Sequence, residues 1–382
     1  MYKLKDVKQY LCAIVFFTVL LVMFITDILK PDTYISALEN RVLNQFPMFS
    51  ADALLNNQWT KDYGEYVRDQ FILRDWWMKE HSFIEQYTLA KLEIGDVWLA
   101  KNEYLMAKAP LQASLNDRVT QANIRVVCNL AKQYPGRVYV MIVPSASNIL
   151  SGYLRFNPPH MDENAAMDMM FKQFSDQGVH VIDLRDDFLK HSASGEQLYY
   201  RTDHHWTTDG GALLAYEEFC GSTGRAPIMP DAGSKHTVDG FLGTNYAKTL
   251  SIGITADKLI YYDFHNPISI EKRGSDGSVS FENGSIMDYD KLSAYDKYAA
   301  FLRGNNGYSY IEGNGSGSVL LIKDSYGNCF APFLIQNYKN IGIIDLRARQ
   351  TINDIVKADS DILVLYSFQS FIEDVNLMRL AG

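Results

Sequence analysis

Apolar runs of strand length recur from residue 138 to the end of the chain. They are Val138–Pro144, Val179–Leu184, Ser318–Ile322, Ile341–Asp345 and Asp361–Tyr366. Strands that are apolar along nearly their whole length are typical of parallel sheets that are buried on both faces. Helical patterns separate these runs, as in chains that alternate strand and helix. We therefore predict an α/β fold in which helices sandwich a parallel sheet.

The spacing of apolar residues also predicts the remaining elements. The predicted helices are Leu115–Lys132, Glu163–Phe174, Asp209–Phe219, Thr351–Ala358 and Phe371–Leu380, with another opening after Ser325. Thr207 or Thr208 is a natural N-cap for the helix that begins near Asp209. Residues 51–91 have the pattern of two helices with a break at Phe71–Arg74, and Gly95–Met106 that of a β-hairpin. Short β-prone pieces in Asp239–Glu312 predict an antiparallel insert or a lid-like excursion.

The N-terminus predicts a membrane anchor. Tyr10–Ile25 is an uninterrupted apolar run preceded by Lys3, Lys5 and Lys8, and no small-x-small cleavage site follows it cleanly. Lysines on this flank predict a cytoplasmic N-terminus and a single-pass protein of the cell membrane. We expect a tip and anchor at 1–30, a linker at 31–50 and one extracytoplasmic domain at 51–382. A buried core helix is the alternative for the apolar run.

Composition narrows the class of partner. The formal charge of -9 argues against nucleic acid, because phosphate binding requires a basic surface, and it favours a neutral or sugar-like substrate. The four cysteines are widely spaced and form no CxxC pair, so neither a zinc knuckle nor a disulfide framework is indicated. Neither GxGxxG nor GxxxxGK[ST] occurs in the sequence. We therefore predict no cofactor.

Two segments carry residue types suited to acyl chemistry. One segment, Asp203-His204-His205-Trp206, precedes the helix predicted from Asp209. The other contains Ser325, which lies between a predicted strand and the helix that follows it. Ligands of parallel α/β sheets collect at the carboxyl ends of strands, so we expect these segments to form one site. Ser325 would be the nucleophile, His205 its base and Asp203 the carboxylate that fixes the imidazole tautomer.

The same residues also have structural interpretations. A serine that opens a helix is a common N-cap, and an aspartate commonly caps a turn. Asp203, His204 and His205, together with His180 or His236, offer the ligand types of a zinc site. However, the sequence has no HxxxH or HExxH spacing, and we predict no metal.

Several motifs resemble those of the DHHW protein family, which is named for the tetrad at 203–206. They are ENRVLNQFP, YVRDQFILRDWW, VPSASN, TDHHWT, FLGTNYAKT, KDSYGN and IDLR. More broadly, the chain is similar to the SGNH-like polysaccharide O-acetyltransferases of the alginate O-acetylation type. In those relatives a TDxHW motif supplies Asp and His, and a later strand-end serine is the nucleophile. The resemblance implies an SGNH-hydrolase-like (flavodoxin-like) fold with Asp203, His205 and Ser325 as catalytic residues.

The remaining site candidates follow from the same resemblance. Ordinary SGNH enzymes use Asp-x-x-His, whereas here the nearer fit is Asp203-x-His205, so His204 stays a second candidate base and Trp206 a supporting residue. The glycine and asparagine that help to form the oxyanion hole in SGNH enzymes have no unambiguous equivalents. Candidates for oxyanion or substrate contacts are Gly243, Asn148, Tyr326, Asn328 and Arg347, and the last is also a candidate for a structural ion pair.

The resemblance implies a membrane-anchored, extracytoplasmic, serine-dependent O-acetyltransferase that acts on a cell-surface or exported polysaccharide. A membrane-bound O-acyltransferase would be the partner that donates the acyl group. The alternatives are a carbohydrate acetylesterase of the same fold, a non-catalytic glycan-binding or scaffold component of a polysaccharide assembly, and a metal-dependent hydrolase.

Overall fold

The computed structural model describes residues 2–36, 38–39, 41–111, 118–274, 278–348, 352, 355–357 and 359–381. The chain forms two compact units. The first comprises residues 1–91 with 250–252, and the second comprises 92–249 with 253–382.

The first unit is mainly helical. Its elements are α1 (Tyr2–Leu29), a strand pair β1 (Ile35–Ser36) and β2 (Arg41–Val42), then α2 (Ala51–Leu55), α3 (Gln58–Gln70) and α4 (Arg74–Phe83), which continues into a π turn at Ile84–Thr88. The part Tyr10–Leu29 of α1 is long and apolar enough to cross a membrane. The predicted break near Phe71 is confirmed, but three helices form where two were predicted. Ser50 caps the extra helix, α2, by accepting from the Ala53 amide, and Asn57 then adopts a left-handed conformation that separates α2 from α3.

The second unit opens with a three-stranded antiparallel sheet of β3 (Glu93–Ile94), β4 (Val97–Leu99) and β5 (Leu105–Ala107), which contains the predicted hairpin. There follow α5 (Arg118–Gln133), β6 (Val138–Val143), α6 (Ala146–Ile149), α7 (Glu163–Asp176), β7 (His180–Ile182), α8 (Arg185–Ala193) and α9 (Leu213–Ser222). The next elements are β8 (Lys235–Phe241), α10 (Thr244–Thr249), β9 (Asp257–Tyr262), β10 (Pro267–Arg273), β11 (Val279–Ser285) and β12 (Tyr308–Glu312). The last are β13 (Ser318–Lys323), α11 (Gly327–Phe330), β14 (Asn340–Ile344), β15 (Ser360–Ser367) and α12 (Phe368–Glu373).

An eight-stranded sheet forms the centre of the second unit, in the order β11-β10-β12-β14-β13-β15-β6-β7. The five strands from β14 to β7 are parallel, which confirms the predicted mixed α/β fold with a mostly parallel sheet. Successive residues of a strand enter two different apolar cores. In β13, Val319 and Leu321 belong to one core, whereas Leu320 and Ile322 belong to the other. Burial on both faces explains why these strands are continuously apolar.

The predicted insert is antiparallel, but three of its strands extend the main sheet and do not form a separate excursion. β12 pairs with β14, β10 with β12, and β11 with β10, all antiparallel. Among the described strands of the insert, β9 pairs elsewhere, with β8. Joining the sheet satisfies backbone groups of β12 and β14 that would otherwise lie at an open edge.

Three helix predictions need correction. The helix predicted at Asp209 begins as a π turn at Thr208–Ala212, and the Thr207 hydroxyl donates to Gln197 O (2.6 Å) without capping the helix. The final helix is divided into α12 and a 3₁₀ segment at Val375–Ala381. Of the helix predicted at 351–358, the described residues 352 and 355–357 are not helical, and the other four residues lie outside the described part of the chain, as does the start of the helix predicted at 115.

Candidate active site

Asp324 positions Ser325 at the carboxyl end of β13. The buried Asp324 carboxylate accepts the Tyr326 amide (2.9 Å), the Ser367 amide (2.9 Å) and the Ser367 hydroxyl (2.8 Å), and it thereby joins this turn to the end of β15. Tyr326, and not Ser325, occupies the N-cap position of α11 and makes no side-chain capping bond. The Ser325 hydroxyl is therefore not used as a helix cap. Asp324 was not among the site residues predicted from the sequence, although it lies directly before the candidate nucleophile.

Ser325, His205 and Asp203 are joined by two short hydrogen bonds. The Ser325 Oγ to His205 Nε2 distance is 2.7 Å, and His205 Nδ1 lies 2.6 Å from Asp203 Oδ1. The same carboxylate oxygen accepts the His205 amide (2.9 Å), and Oδ2 accepts the Thr244 amide (2.7 Å) and hydroxyl (3.0 Å). An Asp–His–Ser line of this kind can pass the serine proton to an imidazole whose tautomer the carboxylate fixes.

The environment of Asp203 favours its ionised form. Burial alone would raise the pKa of this carboxyl, but the adjacent imidazoles and the hydrogen bonds from His205 and Thr244 outweigh burial and hold the pKa below its usual range. The backbone at Gly243 packs directly on this carboxylate. A Cβ added at Gly243 would lie 2.6 Å from Asp203 Cγ, and even closer to Asp203 Cβ and Oδ2. A glycine is therefore required where the chain passes Asp203.

His204 is bonded to Thr244 and stands beside the ring of His205. Its Nδ1 lies 2.6 Å from the Thr244 hydroxyl, and its ring centre lies 3.8 Å from that of His205. Among the described residues, His205 is the histidine that bonds to the Ser325 hydroxyl. Burial and the neighbouring His205 ring lower the pKa of His204, which favours a neutral imidazole. Geometry therefore favours His205 over His204 as the base.

Aromatic side chains enclose the histidine and the serine turn. The Tyr298 ring stacks on His205 at 3.8 Å with 10° between the planes, and its hydroxyl donates to Ser325 O (3.0 Å). Trp206 Nε1 donates to Tyr326 O (3.0 Å), and the Tyr326 hydroxyl donates to His204 O. These contacts join both halves of the site. Tyr298 comes from the antiparallel insert, and no sequence motif indicated it.

Gly243 and Asn148 are engaged in local contacts. The Gly243 amide donates to the Thr202 hydroxyl (3.1 Å), and the Asn148 side chain donates to Asn164 (2.9 Å). By contrast, the Ser325 amide has no acceptor within the part of the chain that the structure describes. A free amide at the nucleophile itself is a suitable donor for a developing oxyanion.

Asn328 and Arg347 surround a buried lysine beneath the serine turn. Lys323 Nζ donates to Asn328 Oδ1 (2.6 Å) and lies 3.5 Å from Asp345 Oδ2, and burial lowers its pKa to about 8. Arg347 binds the same Asp345 carboxylate through two nitrogens (2.8 and 2.5 Å). This is the structural ion pair that we considered for Arg347, and the contact of either candidate with a substrate stays a prediction.

A cavity of about 400 Å³ adjoins the site. His204, Thr244 and Tyr326 form the wall next to the candidate triad, whereas the half-buried Ser325 lies beside the cavity and outside its lining. Elsewhere in the lining, the Glu163 carboxylate accepts the Ser145 amide (2.7 Å) and hydroxyl (2.6 Å). Burial raises the pKa of Glu163 to about 7. The volume lies within the range of small-ligand pockets.

Asp203, His204 and His205 also form a possible metal cluster, because one ligand atom of each lies within 4.8 Å of the others. The His205 nitrogens contact Asp203 and Ser325, and the His204 nitrogen contacts Thr244. A metal would have to displace these bonds. His180 and His236, considered as further ligands, are not part of the cluster.

Comparison with known proteins identifies the family. The family model described as DHHW protein matches residues 101–344. A solved DHHW family protein from Eubacterium siraeum is 19% identical, with a TM-score of 0.59 over 76% of this chain and 96% of that chain. Bacillus cereus PatB1, solved with a sulfonyl adduct, is 20% identical, with a TM-score of 0.56 over 73% and 97% of the two chains. These likenesses show a shared fold.

One curated relative bears a functional name. The Pseudomonas syringae pv. tomato protein named probable alginate O-acetylase AlgJ is 22% identical over 242 residues, which are 61% of this chain and 61% of that relative. The chain therefore matches less than two thirds of the length of this relative. The family model, however, covers well over half of the chain, and the chain belongs to the DHHW protein family.

Proposed function

We propose that this chain is a membrane-anchored, extracytoplasmic enzyme that transfers acetyl groups to a cell-surface or exported polysaccharide through an ester on Ser325. The observation that carries the proposal is the hydrogen-bonded line from Asp203 through His205 to Ser325. The name of the AlgJ relative supports acetyl as the transferred group and polysaccharide as the acceptor. The anchor would be α1, whose apolar part is long enough to span a bilayer.

Acylation is the first half of the reaction. Ser325 Oγ attacks the carbonyl carbon of the acyl donor while His205 Nε2 accepts the hydroxyl proton, and Asp203 stabilises the imidazolium that forms. The Ser325 amide donates to the oxyanion of the tetrahedral intermediate. When this intermediate collapses, the bond from carbon to the leaving group breaks, His205 returns the proton to the leaving group, and the acetyl group remains on Ser325. A membrane-bound O-acyltransferase is the proposed donor partner.

Deacylation transfers the acetyl group to a sugar. A hydroxyl of the acceptor gives its proton to His205 and attacks the seryl ester, and Ser325 Oγ recovers the proton as the ester bond breaks. The acceptor would occupy the cavity beside His204, where Ser145, Thr244 and Tyr326 contribute hydroxyl groups. Protein hydroxyls can both donate to and accept from sugar hydroxyls, so the lining suits a polyhydroxylated ligand.

The order of the parallel strands supports assignment of the fold to the SGNH-hydrolase type. Counted from β13 as the first strand, through β14, β15, β6 and β7, the sheet order reads 2-1-3-4-5, which is the flavodoxin-like order. β6, the first of these parallel strands along the chain, would then be the fourth strand of the flavodoxin-like count. This permutation gives a physical reason why Asp203 and His205, which follow the last strand in this count, precede Ser325, which follows the first.

Covalent labelling tests the proposal. We expect a serine-directed sulfonyl fluoride to modify Ser325, and Ser325→Ala and His205→Ala each to abolish labelling. Ser145→Ala is the matched control, because this cavity serine lacks a histidine partner within the described residues. A modified Ser145 or Ser147 in mass spectrometry would refute the assignment of the nucleophile. Free acetate released from acetylated glycan without an acceptor would identify an esterase, and glycan binding unchanged by Ser325→Ala in a protein that never labels would indicate a scaffold.

A further inference from the structure

The turn between α3 and α4 is bonded to the last turn of α1. Asp27 Oδ1 accepts the Ile72 amide (2.8 Å), and Asp27 lies near the end of the apolar segment Tyr10–Leu29. Lys30 Nζ donates to Gln70 O (3.1 Å), and the Thr33 amide donates to Gln70 Oε1 (2.9 Å). These bonds hold the turn at the height where α1 ends.

The turn and the start of α4 expose large apolar side chains beside these bonds. Their exposed fractions are 37% for Phe71, 62% for Leu73, 49% for Trp76 and 44% for Trp77. We call these four residues the Trp76 surface. At the end of α1, Ile28 and Leu29 are also exposed. Four large exposed apolar side chains within seven residues are typical of an interaction surface.

We propose that the Trp76 surface lies in the headgroup region of the outer leaflet of the membrane that α1 crosses. The 20 residues Tyr10–Leu29 extend for ~30 Å at the rise of an α-helix, which is about the thickness of the hydrocarbon core. Asp27 then lies at the boundary between hydrocarbon and headgroups, and its bond to Ile72 brings the Trp76 surface to the same level. Tryptophan is enriched at this boundary because its ring is apolar and its N–H is polar.

Lipid fits this position better than a second protein. The turn that carries the surface is bonded to the end of the proposed span, because Asp27 accepts the Ile72 amide and Lys30 donates to Gln70 O, and these bonds fix its height. The Ile72 amide also gives Asp27 a partner where an unpaired carboxylate would be costly. The inference rests on the proposed anchoring of α1 and is independent of the acetyl-transfer chemistry.

Quenching of tryptophan fluorescence by brominated lipid tests the placement. The full chain is reconstituted in nanodiscs whose phosphatidylcholine carries bromine either near the glycerol end or in mid-chain. We expect stronger quenching by bromine near the glycerol end and loss of most of that quenching in the W76F/W77F double variant. Phenylalanine retains the apolar bulk, and circular dichroism checks that the helices remain. W59F is the matched control, because Trp59 lies on α3 outside the Trp76 surface, and we expect it to keep the quenching.

Other outcomes overturn the inference. Quenching that is unchanged in W76F/W77F, or that disappears in W59F, would place the lipid contact elsewhere. An absence of quenching in a chain that resists alkaline carbonate extraction would show that α1 is anchored while the Trp76 surface avoids lipid. Cross-linking of this surface to a second copy in the same nanodiscs would assign it to dimerisation. A chain that carbonate extracts would overturn both the anchoring and this inference, whereas serine labelling would remain an independent test of the chemistry.

Discussion

Replacing Gly243 by alanine should displace the carboxylate of the candidate triad. The added Cβ would lie 2.6 Å from Asp203 Cγ, whereas ordinary contacts begin at 3.4 Å, so the two groups must separate by about 1 Å. The segment cannot retreat freely, because the Gly243 amide is bonded to Thr202 and the Thr244 amide to Asp203. Asp203 must therefore move relative to His205.

The structure sets the size of the expected effect. A shift of about 1 Å stretches the 2.6 Å bond between Asp203 and His205 beyond normal hydrogen-bond length. Misplacement of a catalytic group by this distance can reduce a rate ~100-fold. Overpacking at a buried position also lowers the free energy of unfolding, by about 1–3 kcal/mol. We therefore expect slow serine labelling in a protein that still folds.

The assay is the second-order rate of labelling by a sulfonyl fluoride, measured together with Tm. Gly221→Ala is the matched control, because Gly221 lies at an exposed site in α9 and an added Cβ would meet no atom within 4 Å. This control should label at the rate of the unsubstituted protein. Gly243→Ala that labels at an unchanged rate would refute the reasoning, because Asp203 would then have no measurable role in orienting His205.

Three further predictions follow from the contacts of the site. Asp203→Asn should lower the labelling rate by up to ~10⁴-fold while the fold is retained, because an amide N–H facing His205 Nδ1 selects the wrong imidazole tautomer; an unchanged rate would contradict this role. Tyr298→Phe keeps the ring on His205 but removes the hydrogen bond to Ser325 O. Urea unfolding should therefore show a free energy of unfolding lower by about 1 kcal/mol, and the variant should still be labelled, unlike Ser325→Ala. Because burial raises the pKa of Glu163 from 4.5 to about 7, the folded state binds the additional proton, and this group's contribution to the free energy of unfolding should fall as pH rises from 4.5 to 7. Glu163→Gln should remove that part of the slope in urea unfolding at several pH values, and equal slopes for the two proteins would contradict the shift.

Periodicity alone predicts the central strands and the general position of the site. Ser318–Ile322 is apolar at every position but its first, and the structure uses alternate residues of this strand in two cores. The serine turn and the Asp203 segment were expected at the ends of parallel strands, and the structure brings Ser325 within hydrogen-bond distance of His205. Their catalytic roles stay a proposal.

The remaining features depend on contacts between distant segments, which local patterns do not encode. Tyr298 reaches His205 because the insert joins the main sheet through β12, and strand pairing of this kind leaves no signature in apolar spacing. The π turn ahead of α9 depends on the close approach of Gly211 to Trp206, where an added Cβ would lie 2.7 Å from the tryptophan Cβ. The double glycine was visible in the sequence, but its contact was not.

The strand order also determines when both edges of β6 can be paired during synthesis. β6 pairs with β7 on one side and with β15 on the other, and β15 is the last strand of the chain. Until residues 360–367 have been synthesised, β6 exposes an unpaired edge of six residues that are all buried in the finished fold. Open apolar edges promote association between chains, and long-range pairing is slow. The nascent polypeptide therefore carries this open edge from the synthesis of β6 until residues 360–367 are available for pairing.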